Sequence, residues 1–204
     1  MTAACLLAGL VLAGCSRQTQ FTYEGSRLES MARDLQENAQ ADSFAKNLCV
    51  VTGEEGEEDA SVTAEAAAAF GIDSKQVIFQ KNPFERLYPA SITKIMTALI
   101  AIRDGDLTDS VTVGPETVIT ETGASLAHIN PGDTLTMEQL LYGLMLPSGN
   151  DAGAAIAVHM AGSTEAFAEK MNETAHALGA TDTHFVNPHG LNNEDHYTTA
   201  YDLY

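Results

Sequence analysis

The clearest pattern of apolar and polar positions in this chain runs through residues 88–102. Ile92, Ile95, Met96, Leu99 and Ile100 recur at the i, i+3, i+4, i+7, i+8 spacing of a helix that buries one stripe. That stripe is expected to face the core. Ser91 and Lys94 fall off it. At about 100° per residue they share a second face, together with the small Ala98 and Ala101. Pro89 fixes the chain before the helix, and Asp104-Gly105 closes it.

Other elements follow from the same patterning. Residues 48–52 are short, apolar and β-branched, which predicts a strand. Residues 61–70 and 76–80 predict a hairpin around the turn Gly71-Ile72-Asp73-Ser74, with Val77 and Phe79 alternating in its second arm. A short strand is expected at 111–113. After the turn at Pro131-Gly132-Asp133, Thr134 or Thr136 can cap a helix carrying Leu140, Leu141, Leu144 and Met145, which Pro147 stops. Within the helix expected at 151–161, residues 152–158 are all alanine, glycine, isoleucine or valine, as suits a buried helix closely approached by its neighbours. Ser163 caps a further helix with Phe167, Met171, Ala175 and Leu178 inward, and Gly179 ends it. Residues 183–191 are rich in turn formers, and residues 201–204 open a new helix.

Length and charge narrow the possibilities. The 204 residues, 45% hydrophobic, suffice for one sizeable core. Ten Lys and Arg against 28 Asp and Glu give a net charge of -18, which argues against a nucleic-acid partner. Residues 1–14 are almost wholly apolar and end in Leu12-Ala13-Gly14-Cys15. Fourteen residues are too few to span a bilayer, so the segment reads as a secretory signal. The chain thus divides into a signal at 1–15, a polar stretch at 16–47, and a globular region from 48 to 204. The polar stretch is either a spacer or a docked helix using Leu28, Met31 and Leu35. The acidic run at 54–59 repels itself and stays solvated.

Candidate chemistry centres on Ser91 and Lys94. A hydroxyl one turn from an amine, at a helix N-terminus in an apolar segment, is a nucleophile beside a base. An amine held in a desolvated site has a lowered pKa and can take the serine proton. The positive end of the helix dipole favours an oxyanion formed there. Ser-x-x-Lys alone is a weak signal, since a chain of this length holds roughly one by chance. Ser43-Phe44-Ala45-Lys46 is such a second copy, in a polar segment with no apolar helix behind it. Ser148-Gly149-Asn150 stands between two predicted core helices. Its hydroxyl and amide either line a cleft, relaying a proton and binding a substrate amide, or cap a helix. His184, His189 and His196 lack the HExxH spacing of a helical zinc site and read as turn-packing residues; no metal ligands are assigned. With Cys5, Cys15 and Cys49 as its three cysteines, the chain offers no disulfide framework and no CxxC site.

Taken together, these residues resemble the penicillin-binding, serine-type D-alanyl-D-alanine carboxypeptidases of bacterial cell-wall metabolism. Pro89-Ala90-Ser91-Ile92-Thr93-Lys94-Ile95-Met96-Thr97 matches the first motif of that family, and Leu146-Pro147-Ser148-Gly149-Asn150-Asp151-Ala152 the second. Phe185-Val186-Asn187-Pro188-His189-Gly190-Leu191 and Tyr197-Thr198-Thr199-Ala200-Tyr201-Asp202 match further family-typical stretches. The resemblance implies an α/β transpeptidase fold, a sheet flanked by helices with a helical subdomain. It implies Ser91 as the acylated nucleophile, Lys94 as base, Ser148 as proton relay and Asn150 as substrate contact, with no cofactor. The implied partners are peptidoglycan stem peptides ending in D-Ala-D-Ala, and β-lactams as covalent inhibitors.

The run ending in Cys15 resembles a bacterial lipoprotein signal, although no Lys or Arg precedes it. That implies a lipid-modified Cys15 and a membrane-anchored, extracytoplasmic protein facing the wall; an ordinary signal is the other reading. The family's third motif, Lys-Thr-Gly or a close variant, is nowhere in the 204 residues. The expectation is therefore the front portion of the catalytic domain, lacking closing strands and inactive by itself. Two other classes compete. A β-lactamase-related hydrolase would need a glutamate in a Glu-x-x-x-Asn-type loop, and Glu165, Glu169, Glu173 and Glu194 do not supply that spacing. The other is a non-catalytic lipoprotein that binds peptidoglycan.

Overall fold

A computed structural model describes residues 61–71, 73–74 and 76–204. The signal with Cys15, the polar stretch, the strand expected at 48–52 and the second Ser-x-x-Lys lie outside the described residues. Strands β1 (Ala67–Gly71) and β2 (Gln76–Lys81) form the expected antiparallel hairpin, with a register shift between Ala69 and Phe70. Strand β3 (Ser110–Thr112) pairs antiparallel with β4 (Thr134–Thr136), and the Thr112 and Thr134 hydroxyls meet across the pair at 3.0 Å. The helices are α1 (Thr93–Asp104), α2 (Met137–Met145), α3 (Asn150–Ala161) and α4 (Thr164–Leu178).

The helix boundaries follow local chemistry. Thr136 and Gln139 close a reciprocal capping box on α2, satisfying two otherwise orphaned N–H groups. Ser163 accepts from the Ala166 N–H at the start of α4, and Gly179 ends that helix in the left-handed region. The core gathers α1, α2 and α4 around α3. Residues 150–157 of α3 are all buried, against Ile100, Leu144, Met137, Phe167 and Met171. Its small side chains allow that approach: a Cβ on Gly153 would lie 3.2 Å from the Leu144 side chain.

One sequence expectation needs correction. Of the apolar stripe of α1, only Ile100 is fully buried. Ile92 and Ile95 are 47% and 59% exposed, whereas Thr93, Lys94, Thr97, Ala98 and Ala101 are buried. The small alanines let α3 and the chain at 187–190 pack against this side. Each buried polar group there has a partner; Thr97, for example, donates to the Pro188 carbonyl at 2.6 Å. Ile92, Ile95, Met96 and Leu99 instead line an open groove with Leu178, Phe185 and Tyr201. Residues 201–203 form a turn, in which the Leu203 N–H bonds the Thr199 carbonyl at the four-residue spacing of a helix.

Candidate active site

Ser91 lies in a single 3-10 turn, Ala90–Ile92, that runs directly into α1. It is exposed, while Lys94 one turn later is only 2% exposed. Three oxygens surround the Lys94 amine. Nζ donates to Ser91 Oγ at 3.3 Å, to Asn150 Oδ1 at 2.7 Å and to the His189 carbonyl at 2.7 Å. Asn150 opens α3, which places its amide against α1. Ser148, two residues earlier, donates to Ser91 Oγ at 3.1 Å. Four side chains chosen from two separate sequence motifs thus form one hydrogen-bonded cluster.

The cluster has a defined chemical capability. Burial lowers the Lys94 pKa to about 8. Roughly a tenth of the amine is then unprotonated at neutral pH. Two of its neighbours, Asn150 Oδ1 and the His189 carbonyl, are acceptors only. A neutral amine keeps its two hydrogens on those oxygens, so its lone pair is left facing Ser91 Oγ, the one neighbour able to donate. The arrangement can therefore draw the proton from the serine hydroxyl.

The turn at 187–190 holds this geometry from below. Asn187 Oδ1 accepts the N–H groups of His189 and Gly190 at 3.2 and 2.7 Å. Gly190 has φ +85° and packs directly on Ala90. His196 Nδ1 accepts the Val186 N–H, so Nε2 carries the proton and donates to Thr93 Oγ1 at 2.8 Å. Burial pushes the pKa of His189 and His196 down to about 4, with the Lys94 charge contributing for His189. Both are neutral packing groups near pH 7. His184 bonds the Asp195 carbonyl through Nδ1. Among the described residues, no three His, Cys, Asp or Glu side chains gather as metal ligands would.

Sequence reasoning missed two contributors. The His189 carbonyl is a backbone atom, to which no side-chain pattern points. Asp151 is buried and accepts backbone N–H groups from the loop at 125–129. Its signal was present as an acid directly after Asn150, in a segment otherwise made of small apolar residues.

A family model described as D-alanyl-D-alanine carboxypeptidase matches residues 53–204. The D-alanyl-D-alanine carboxypeptidase DacF of Bacillus subtilis is 39% identical over 155 residues, covering 74% of this chain and 40% of the relative. DacA of Escherichia coli K12 is 37% identical over 151 residues, 70% of this chain and 38% of that protein. Among solved structures, penicillin binding protein 5 from Haemophilus influenzae superposes with a TM-score of 0.65 at 30% identity, over 72% of this chain and 45% of that one. The chain therefore spans about two fifths of the length of the curated relatives it matches.

Proposed function

The chain belongs to the D-alanyl-D-alanine carboxypeptidase family and has the transpeptidase fold of penicillin-binding proteins, and from that premise we propose that it is a serine D-Ala-D-Ala carboxypeptidase acting on peptidoglycan stem peptides. The observation that carries this reading is the placement of the Lys94 amine, held by two carbonyl oxygens with Ser91 Oγ as its third neighbour.

In the proposed reaction, Ser91 Oγ attacks the carbonyl of the penultimate D-alanine as its proton passes to Lys94. The Ser91 N–H, at the start of a helix, donates to the developing oxyanion. Collapse of the tetrahedral intermediate breaks the peptide bond, and the proton returns through Ser148 to the departing D-alanine nitrogen. The side-chain amide of Asn150 binds a substrate peptide carbonyl. Water then hydrolyses the acyl-enzyme, with Lys94 again accepting the proton. β-Lactams enter as covalent inhibitors at the same hydroxyl. The protein's physiological role is peptidoglycan trimming and the maintenance of cell shape.

A fluorescent penicillin tests this reading. It should label Ser91, and Ser91→Ala should abolish both labelling and release of D-alanine from diacetyl-lysyl-D-alanyl-D-alanine. A mass-spectrometric adduct on Ser43 or Ser148 would overturn the assignment. The alternative reading is a penicillin- and peptidoglycan-binding lipoprotein without turnover. Its signature is acylation with no D-alanine release.

We also propose that Cys15 is lipidated and anchors the protein to the outer face of the cell membrane, supported by the Leu12-Ala13-Gly14-Cys15 run. The wild-type protein should partition with membranes, and Cys15→Ser should block its processing. A soluble secreted protein beginning at another residue would refute the anchor.

A further inference from the structure

Ser148 is a non-glycine residue at φ +59°, in the left-handed region. Such a conformation costs of order 1 kcal/mol or more and persists only where the surroundings impose it. Two backbone hydrogen bonds and one close side-chain approach impose it here. The Gly149 N–H bonds the Gly143 carbonyl at 3.0 Å, and the Asn150 N–H bonds the Ser125 carbonyl at 2.8 Å. A Cβ on Gly149 would lie 2.8 Å from the Ala127 side chain, so the loop at 125–129 rests directly on the turn. That loop has no helix or strand pairing of its own. Its attachment to the site comes from Asp151.

Asp151 is 1% exposed. Its Oδ1 accepts from Ala127 N–H at 2.8 Å and from Ala152 N–H at 2.9 Å, and its Oδ2 accepts from Ile129 N–H at 3.0 Å. Together with the Ser125 carbonyl, every second residue of the loop is joined to the first turn of α3. A carboxyl group buried this deeply is unfavourable unless it is fully hydrogen-bonded. Backbone N–H groups on both sides of the loop–helix junction supply those bonds.

We propose that Asp151 is a positioning residue for the reaction: by clamping the loop at 125–129 it holds the Ser148–Asn150 turn in the strained conformation that aims Ser148 at Ser91 and Asn150 at Lys94. It touches neither substrate nor the reacting atoms. The inference rests on the carboxypeptidase reading for its catalytic consequence, but its structural half is independent of that reading.

The test is Asp151→Asn in the full-length protein. It keeps the shape but turns a donor toward one of the loop N–H groups. Amide exchange at Ala127 and Ile129 should accelerate at least tenfold. Lys94 is faced by Ser91 on its own helix, Asn150 from α3 and His189 from the 187–190 turn, with Glu121 acting on His189. Loss of the steady Asn150 contact should lower the titration midpoint of the Lys94 ε-carbon, read by NMR. Penicillin acylation should slow roughly 10- to 100-fold, the cost of about 1 Å of misplacement. An unchanged Lys94 midpoint overturns the inference, and so does unchanged acylation where the wild type is acylated; a lowered melting temperature alone would then describe a structural role. If the wild type itself is not acylated, the carboxypeptidase reading fails while the Lys94 titration still decides this one. Should Asp151→Asn not fold, Asp151→Ser, which retains an acceptor oxygen, takes its place with the same readouts.

Discussion

A Cβ on Gly190 would lie 1.8 Å from the carbonyl oxygen of Ala90, the residue immediately before Ser91. The backbone of the 187–190 turn therefore touches the backbone that presents the serine. Gly190 also has φ +85°, which L side chains rarely adopt. We expect Gly190→Ala to lower stability by about 2–4 kcal/mol, since strain and overpacking combine. The variant should also lose penicillin labelling at temperatures where it remains folded. Denaturant unfolding and labelling on the same sample check both parts.

Lys94→Arg keeps a positive charge but removes the base, because guanidinium does not deprotonate near neutral pH. Acylation should fall at least ~100-fold, the lower end of general-base contributions. A rate within threefold of wild type would leave Lys94 only a packing role.

The acylation rate of the wild type should depend on pH in a particular direction. In the proposed mechanism the free amine is the active form, and burial lowers the Lys94 pKa to about 8. The rate should climb as pH rises toward 8 and level off above it. A plateau already reached by pH 6 would exclude Lys94 as the base.

Stability should respond to acid through His189 and His196. Both have folded pKa values near 4, below the ordinary 6.5, because burial disfavours their charged form. Between pH 6.5 and 4 the unfolded chain binds the extra protons and the folded one does not. Their contribution is thus fully present above 6.5 and is lost as pH falls toward 4. Melting temperatures recorded from pH 7 to 4.5 should fall, and the fall should be shallower in His196→Gln. Identical slopes would remove His196 from this account.

The exposed face of α1 has its own consequence. Ile92 and Ile95 bury little among the described residues, so Ile92→Ser with Ile95→Ser should not lower the melting temperature of the 204-residue chain. It should reduce aggregation, which an apolar patch of this kind promotes. The parent chain is expected to scatter more light as it unfolds. Light scattering during thermal unfolding distinguishes the two proteins. Greater instability of the double variant would show that these side chains are already packed.

Much of this architecture was legible in the residues. Helix ends were set by local chemistry, at Thr136, Ser163 and Gly179, and local chemistry is what a sequence displays directly. The hairpin around 71–74 was legible for the same reason. The orientation of α1 was not. Periodicity identifies the most apolar stripe, whereas the buried side of this helix keeps only Ile100 of that stripe and otherwise carries Thr93, Lys94, Thr97 and small alanines. Their burial depends on carbonyls and side chains about a hundred positions away, including Pro188, His189 and His196. Strand β4 was missed because three residues, two of them threonines, carry too little alternation. Within the site, motif spacing picked out Ser91, Lys94, Ser148 and Asn150, which do lie together. The supporting carbonyl of His189 and the carboxylate of Asp151 become visible only once the backbone is in place.

The bond between Lys94 and the His189 carbonyl joins residues 95 apart in sequence. Desolvation of the amine depends on packing contributed from that late part of the chain. During synthesis, before residue 190 has emerged and docked, Lys94 is an ordinary solvated lysine and Ser91 an ordinary serine hydroxyl. On the proposed mechanism the nucleophile is therefore assembled only by long-range closure, a slow kind of contact to form. A β-lactam supplied to a stalled nascent chain ending before residue 187 would find no activated serine, whereas one ending after the docked turn would present the assembled nucleophile.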